Sequence, residues 1–460
     1  MSATPEAERP AWFSLAFWSL LAAALAYRVQ LVLAFPTVYS WDAFTRLLDP
    51  GRLLVRHWMP IPQLPIYAGD VFGWEITAVR LAYALIGVAA VGLIGAFVVR
   101  TQGPREGLVA TAVAAVLPGF AVYTIVPYQE GVLLCFLFLF LCLWRADVDT
   151  MSATARTVAA VALGLACLSR YEAWIFAGLF ALRPIAARRR AALPIFVPAL
   201  GAIAWWLVTL PSLDQTNPMA TPVAAPEAVS LEVALAALRE GAQLGLAGLH
   251  WVGLPVAALG AVAAARRGGL LGREVLAFWI GLVALSLART LHSAEATTRM
   301  TVLPLVLATL YLPSGLRTLA RFRPLPVRVQ QAAGVAFVVA MVVASTFAID
   351  DFLEKRRRHY RDERSVALHL LEVTARAPAS VRIGLVPKEI DNAWGESAVK
   401  AIFGQSMRLR VDDPRFRIGR ERVAAERTHL DRVLLYDTET DRYIVVSPND
   451  PALGVLYSTR

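Results

Sequence analysis

Residues 76–99 read ITAVRLAYALIGVAAVGLIGAFVV, and from Leu81 to Val99 nothing charged interrupts them. A helix crossing the hydrocarbon core of a bilayer needs about 20 apolar residues, and this stretch supplies one. Further apolar runs lie at 12–35, 106–126, 131–145, 156–169, 172–183, 194–211, 246–265, 274–290, 300–316 and 331–349. The pair 156–169 and 172–183 reads as tilted helices or a re-entrant hairpin. The composition agrees. Hydrophobic residues make up 57% of the chain and charged residues 17%, against about 25% charged in soluble domains. Mean hydropathy is +0.55. The pattern predicts a mainly α, polytopic helical membrane protein of about 11 transmembrane helices.

The net charge of +10 does not point to nucleic acid. The arginines sit in short connections between apolar runs, with no aromatic-interleaved basic groove. Membrane topology explains them better, because basic residues collect in cytoplasmic loops. With the N-terminus cytoplasmic, the inside connections contain Arg100 and Arg105, Arg145 and Arg156, Arg183 and Arg188 to Arg190, Arg266, Arg267 and Arg273, then Arg317, Arg321, Arg323 and Arg328. The opposite threading would export nearly all of this charge. Met1–Pro10 carries Glu6 and Glu8 with little positive charge, so the first span reads as a retained anchor and not a cleaved signal. Cys135, Cys142 and Cys167 fall in apolar runs with no ligand or disulfide spacing.

The outside segments are then 36–75, 127–130, 170–172, 212–245, 291–299 and the tail from 350. The first carries Trp41, Trp58 and Trp74, residues suited to the membrane interface, and Pro60, Pro62 and Pro65 break it. The loop 212–245 includes an amphipathic stretch near 229–240. Domain organisation follows: 1–349 is a multi-span transmembrane domain with a long first outside loop at 36–75, and 350–460 is a small extracytoplasmic α/β domain. In that tail, Val381–Val386 reads as a strand and Ala393–Ile402 as a helix. Val433–Tyr436 and Tyr443–Val446 read as strands joined by a turn at Asp437–Asp441.

Acids and arginines recur on the short outside segments. Asp42 opens the first of them, with Arg46 one helical turn later on the same face. His57 shares that loop. Glu130 stands at the outside start of the fourth span, and Arg170 and Glu172 occupy a tight turn between two apolar runs. Arg289, His292, Glu295 and Arg299 surround another short outside connection. Ionisable groups beside a bilayer core pair with one another or serve a cavity. Each also has a plainer reading: Asp42 as cap of a helix starting near Ala43, Arg46 in a surface ion pair, and Glu130 as an acid favoured at a helix N-terminus.

The order of these motifs resembles the GT-C superfamily of membrane glycosyltransferases, in particular the group of protein mannosyltransferases and aminoarabinose transferases. The residues that carry it are Arg28 late in the first span, Asp42 early in the first outside loop, Trp58-Met59-Pro60-Ile61-Pro62, Phe72-Gly73 ahead of Arg80-Leu81, Tyr128-Gln129-Glu130, Leu168-Ser169-Arg170-Tyr171-Glu172, and Arg299-Met300 ahead of Leu303-Pro304. The resemblance spans about residues 12–320 and implies a GT-C-like bundle that takes a sugar from a polyprenyl-phosphate donor. It implies an extracytoplasmic glycan, lipid or protein as acceptor, in the plasma (inner) membrane of a bacterium or archaeon.

Such chemistry needs a base for the acceptor proton and positive charge for the leaving phosphate. Asp42 is the expected base of an inverting transfer, with Glu130 as a second catalytic acid. Arg46, His57, Arg170, Glu172, Arg289, Glu295 and Arg299 are the expected substrate-binding residues. Arg299 leads for the phosphate because its planar fork suits phosphate oxygens, and Arg289 follows. No Asp-x-Asp stands beside the acids, so the expectation is an enzyme without a metal or other cofactor. The alternative is a divalent cation on Asp42, Glu130 and Glu172. The transferred sugar is a hexose or a pentose. The rival class is a membrane transporter or lipid flippase, which would place its charges near the midplane and show inverted repeats. Neither feature is visible in the sequence.

The threading has a direct test. Lys388 and Lys400 should react with a membrane-impermeant amine reagent on intact cells whose outer envelope is permeabilised. Reaction only after the plasma membrane is broken would reverse the arrangement.

Overall fold

Helix α4 (Ile76–Gln102) forms over the stretch quoted above. The computed structural model describes residues 11–38, 41–48, 50–54, 58–145, 147–187, 189–214, 239, 249, 252–293, 298–322, 326–376, 380–386, 402–406, 408–409, 413–418, 423, 426, 429–437 and 442–447. Within its helices the side chains of Asp42, Arg289, His292 and Arg299 lie outside the described set. His57, Glu295, the expected helix Ala393–Ile402 apart from Ile402, and nearly all of 229–240 lie outside it.

The remaining helices are α1 (Ala11–Ala34), α2 (Trp41–Leu48), α3 (Leu64–Val71), α5 (Pro104–Val116), α6 (Pro118–Tyr123), α7 (Glu130–Leu143), α8 (Ala153–Cys167), α9 (Glu172–Ala186), α10 (Val197–Asp214), α11 (252–267), α12 (Leu276–Ser293), α13 (Thr298–Thr309), α14 (Leu312–Phe322), α15 (Val327–His359) and α16 (Arg361–Arg376). Among the described residues, four helices are long and apolar enough to cross a membrane: Trp12–Ala34, Ile76–Gln102, Arg190–Thr209 and Val327–His359. The pair Val302–Thr309 and Leu312–Arg321, bent by 45°, makes a fifth when taken as one span. Helices α7 and α8 are shorter apolar elements. The chain is thus a polytopic helical membrane protein with one small sheet. It divides into two units, Met1–Val32 with Leu53–Leu64 and Leu81–Phe352, and Leu33–Arg52 with Pro65–Arg80 and Leu353–Arg460.

In the first unit, the expected single span 106–126 is broken. Leu117 adopts an extended conformation (φ −57°, ψ 117°), and Pro118 cannot donate to the preceding turn. The carbonyls at the end of α5 lose their helical donors. Arg28, fully buried on α1, supplies one: its Nη1 donates to the Ala115 carbonyl at 2.8 Å and its Nε to Thr124 Oγ1 at 3.1 Å. The guanidinium also lies over the Phe120 ring, 5.7 Å from its centroid. Arg100 does the same for α7, donating to the carbonyls of Leu141 and Cys142 at 2.8 and 2.7 Å and to that of Trp144. A cation at a helix C-terminus is favoured by the helix dipole.

Glycines let these helices approach closely. A Cβ on Gly87 would fall 2.5 Å from the Thr124 Cβ, and one on Gly131 3.0 Å from the Thr124 Cγ2. At the α11–α14 crossing, a Cβ on Gly260 would fall 1.9 Å from the Tyr311 carbonyl oxygen, and one on Gly315 1.9 Å from that of Val256. Small residues at helix contacts are the general device of membrane bundles, where packing replaces the hydrophobic drive.

In the second unit, four strands make one sheet in the order β2-β1-β3-β4: β1 (Ile383–Val386), β2 (Phe416–Ile418), β3 (Arg432–Asp437) and β4 (Arg442–Val446). β1 runs parallel to β2 and β3, and β3 pairs antiparallel with β4. The three expected strands are present. β2 is an addition, short and arginine-bearing, with little alternation to reveal it. Neighbouring β3 residues point to opposite faces: Leu434 joins a core with Val366, Leu370, Leu385 and Phe403, while Val433 joins Val423, Leu430 and Val446.

Gly260→Ala should lower the unfolding temperature of the detergent-solubilised protein, because the Tyr311 backbone cannot yield. Gly178→Ala, with nothing within 4 Å of the added Cβ, should hold or gain stability, since glycine inside a helix costs about 0.5–1 kcal/mol relative to alanine. Equal behaviour of the two variants would contradict the close crossing.

Candidate functional site

The turn between α8 and α9 brings Arg170 and Glu172 against Glu130. Ser169 Oγ donates back to the Leu165 carbonyl at 2.8 Å, tightening the end of α8. Arg170 then lies just ahead of α9, and Glu172 opens that helix. The Arg170 Nε and Nη2 donate to the two oxygens of Glu172 at 2.9 and 2.6 Å. Its Nη1 reaches Glu130, the first residue of α7. Both carboxylates sit in the first turn of a helix, where negative charge is favoured. Glu130 is only 1% exposed.

Burial pulls the Arg170 guanidinium's pKa down, but the carboxylates of Glu172 and Glu130 outweigh it and hold the pKa above the ordinary value. A charge buried among apolar helices is tolerable only when so compensated. Three of the expected residues, Glu130, Arg170 and Glu172, are therefore brought together, with Glu130 buried and the other two half-buried.

The same turn holds part of the first loop. The Ile61 N–H donates to the Leu168 carbonyl at 3.3 Å, and the Tyr83 hydroxyl donates to the Pro62 carbonyl. The Trp58-to-Pro62 and Leu168-to-Glu172 motifs, far apart in sequence, are thus directly bonded. Trp206 Nε1 on α10 donates to the Tyr171 hydroxyl at 3.1 Å, fixing the turn from the other side.

Asp42 lies on α2, in the second unit. The helix begins at Trp41, two residues earlier than expected, so Asp42 sits in its first turn and not at its cap. Ala43, Phe44 and Leu47 are buried. The Phe44 ring meets Tyr360 edge-on at 5.1 Å, and Leu48 packs against the core under the sheet. Arg46 is 1% exposed, which excludes the surface ion pair.

The segment leading into α2 is held at three points. Arg80 Nη1 donates to the Phe35 carbonyl at 2.8 Å. Arg357 lies over the Phe35 ring at 5.9 Å. The Gln405 amide makes two bonds to Val38: the Val38 N–H donates to Oε1 and Nε2 donates to the Val38 carbonyl, both at 3.0 Å. Gln405 was not among the expected residues. A glutamine 367 positions from its partner leaves no local signal.

Arg289 lies on α12 and Arg299 on α13. Among the described residues, no group of three or more His, Cys, Asp or Glu side chains could hold a metal ion.

Residues 68–213 match the family described as dolichyl-phosphate-mannose-protein mannosyltransferase. The fold matches ArnT from Cupriavidus metallidurans, solved bound to undecaprenyl phosphate, with TM-score 0.55 and 12% identity over 96% of this chain and 98% of that one. It also matches the oligosaccharyltransferase AglB from Archaeoglobus fulgidus, solved in complex with an inhibitory peptide and a dolichol-phosphate. There the TM-score is 0.51 and the identity 14%, over 88% of this chain and 65% of that one. No curated protein matches the sequence. The chain resembles the GT-C superfamily in its sequence pattern and has an ArnT-like fold.

Arg170→Met removes a cation that faces Glu130 and should destabilise the solubilised protein by about 3–5 kcal/mol, the usual scale for breaking a buried pair. Adding Glu130→Gln to that variant should recover part of the loss. Wild-type stability in Arg170→Met would show that the ionic group does not hold the turn.

Proposed function

We propose that this chain is an integral-membrane glycosyltransferase. It transfers a sugar from a polyprenyl-phosphate donor to an extracytoplasmic glycan, lipid or protein, with Asp42 as general base. The observation that carries the reading is a fold match over 96% of this chain to a protein solved with undecaprenyl phosphate. A fold alone does not fix chemistry, so the residues have to supply it.

In the proposed reaction the acceptor oxygen attacks the anomeric carbon of the sugar. Its proton passes to the Asp42 carboxylate as the new bond develops. The bond from the anomeric carbon to the phosphate oxygen breaks on the opposite side, and its electron pair leaves with the polyprenyl phosphate. Configuration inverts, and one base suffices. The leaving phosphate gains charge that a planar guanidinium meets with two parallel donors. Arg299 takes this role, with Arg289 as the second choice. Arg170 is less suited, because its donors already face Glu172 and Glu130. That pair of acids, with Arg170 holding them, orients hydroxyls of the sugar or acceptor. Arg46 steadies α2 from within, and His57 and Glu295 contact substrate from their loops. No metal enters the scheme. The enzyme lies in the plasma membrane with its N-terminus cytoplasmic and residues 350–460 outside.

The assay is release of undecaprenyl phosphate from a panel of undecaprenyl-phosphate hexoses and pentoses, with envelope extract as acceptor. Asp42→Asn should lower turnover by about 10²–10⁴-fold while undecaprenyl phosphate still binds, and EDTA should leave the wild-type rate unchanged. Near-wild-type turnover in Asp42→Asn would remove the base. Loss of activity on chelation, restored by magnesium or manganese, would replace the metal-free scheme.

A further inference from the structure

The compact unit that contains α2 is made mostly of the C-terminal segment. Leu33–Arg52 and Pro65–Arg80 fold with Leu353–Arg460. The segment that leads into α2 is clasped by the Gln405–Val38 pair. Its geometry is that of a strand ladder: one side-chain amide accepts from the Val38 N–H and donates to the Val38 carbonyl. Gln405 is 8% exposed and Val38 fully buried. Neither backbone group has water at hand to replace the amide, so both would be left unmade without it.

Val38 precedes the first residue of α2 by three positions. The lead-in cannot slide along its axis without breaking both amide bonds, and it cannot twist without breaking the Arg80–Phe35 bond. Gln405 is itself fixed. Its N–H donates to the Ile402 carbonyl at 3.2 Å, and Ile402 and Phe403 sit in the core beneath β1 and β3. The lead-in to α2, the helix on which Asp42 lies, is thereby tied to the core of the C-terminal segment. A second tie, Arg408 to Glu75, reaches the other part of the first loop from the same stretch.

We infer that Gln405 is a positioning residue for transfer: it anchors the lead-in to the helix that carries Asp42, so the C-terminal segment controls turnover without touching the sugar. The inference rests on the reading of Asp42 as general base. A misplacement of about 1 Å in a reacting group can lower a rate on the order of 10²-fold.

The test uses full-length protein carrying Gln405→Met, which keeps length and apolarity and loses both bonds. Amide hydrogen exchange over 41–48 should speed up, while exchange in β1 and β3 stays as in wild type. Turnover of the best undecaprenyl-phosphate sugar from the panel should fall at least tenfold with its KM unchanged. In an Asp42→Asn background the same change should produce no further loss, because the group it positions no longer acts.

Gln405→Glu gives a second readout should Gln405→Met fold poorly. A protonated carboxyl can accept and donate like the amide, whereas the ionised form cannot donate. Its turnover relative to wild type should therefore rise as pH falls. Unchanged exchange over 41–48, a fully additive loss in the double variant, or a pH-independent ratio for Gln405→Glu would each overturn the inference. Full turnover in Asp42→Asn alone would instead overturn the base, and the exchange result would still decide whether Gln405 holds α2.

Discussion

A charge or a bare carbonyl inside a membrane bundle has to be met by the protein itself, because the bilayer offers no water. At the edge of the first unit's bundle, this demand is met around Arg170. One guanidinium, spread across Glu172 and Glu130, joins the start of α7 to the start of α9. Burial of Glu130 is tolerable because this cation faces it. Arg28 and Arg100 obey the same constraint with carbonyls in place of carboxylates. Arg317 pairs with Glu106 in the first turn of α5. Arginines that first mark topology are thus also the caps and clamps of individual helices.

The second unit solves a different problem. A short helix of eight residues is too brief to be stable by itself, so α2 exists because tertiary contacts hold it. Phe44, Leu47 and Leu48 supply an apolar side, and Tyr360 and the core under the sheet receive it. The lead-in segment is fixed by hydrogen bonds to Arg80 and Gln405. The cost of ordering the first loop is met by a small α/β core that is itself partly built from that loop.

Much of this was legible in the sequence. The helical class, the spans of α1, α4 and α15, and strands β1, β3 and β4 follow from apolar runs, alternation and turn residues. The pairing of Arg170 with Glu172 follows from their shared turn, because charges beside a bilayer must find partners, but the reach of Arg170 to Glu130 on another helix has no local signal. Other features were not legible. The break at Leu117–Pro118 falls inside a run apolar enough to read as one helix, and only the proline hints at it. The bend between α13 and α14 likewise hides in apolar sequence. Helix α15 runs past the expected end at 349 to His359, because no glycine or proline stops it as it leaves the apolar stretch. The Gln405–Val38 clasp and the Ile61–Leu168 bond join residues whose proximity exists only in the fold.

The central claim is that a bond to the sugar is broken, and the rival class, a flippase, moves the lipid intact. The direct measurement reconstitutes the pure protein in vesicles with an undecaprenyl-phosphate sugar carrying label in the sugar, adds envelope extract as acceptor, and follows both label and lipid. The account predicts label in the acceptor and an equal amount of free undecaprenyl phosphate. Label that changes leaflet while still attached to its lipid, with no free undecaprenyl phosphate formed, would contradict it.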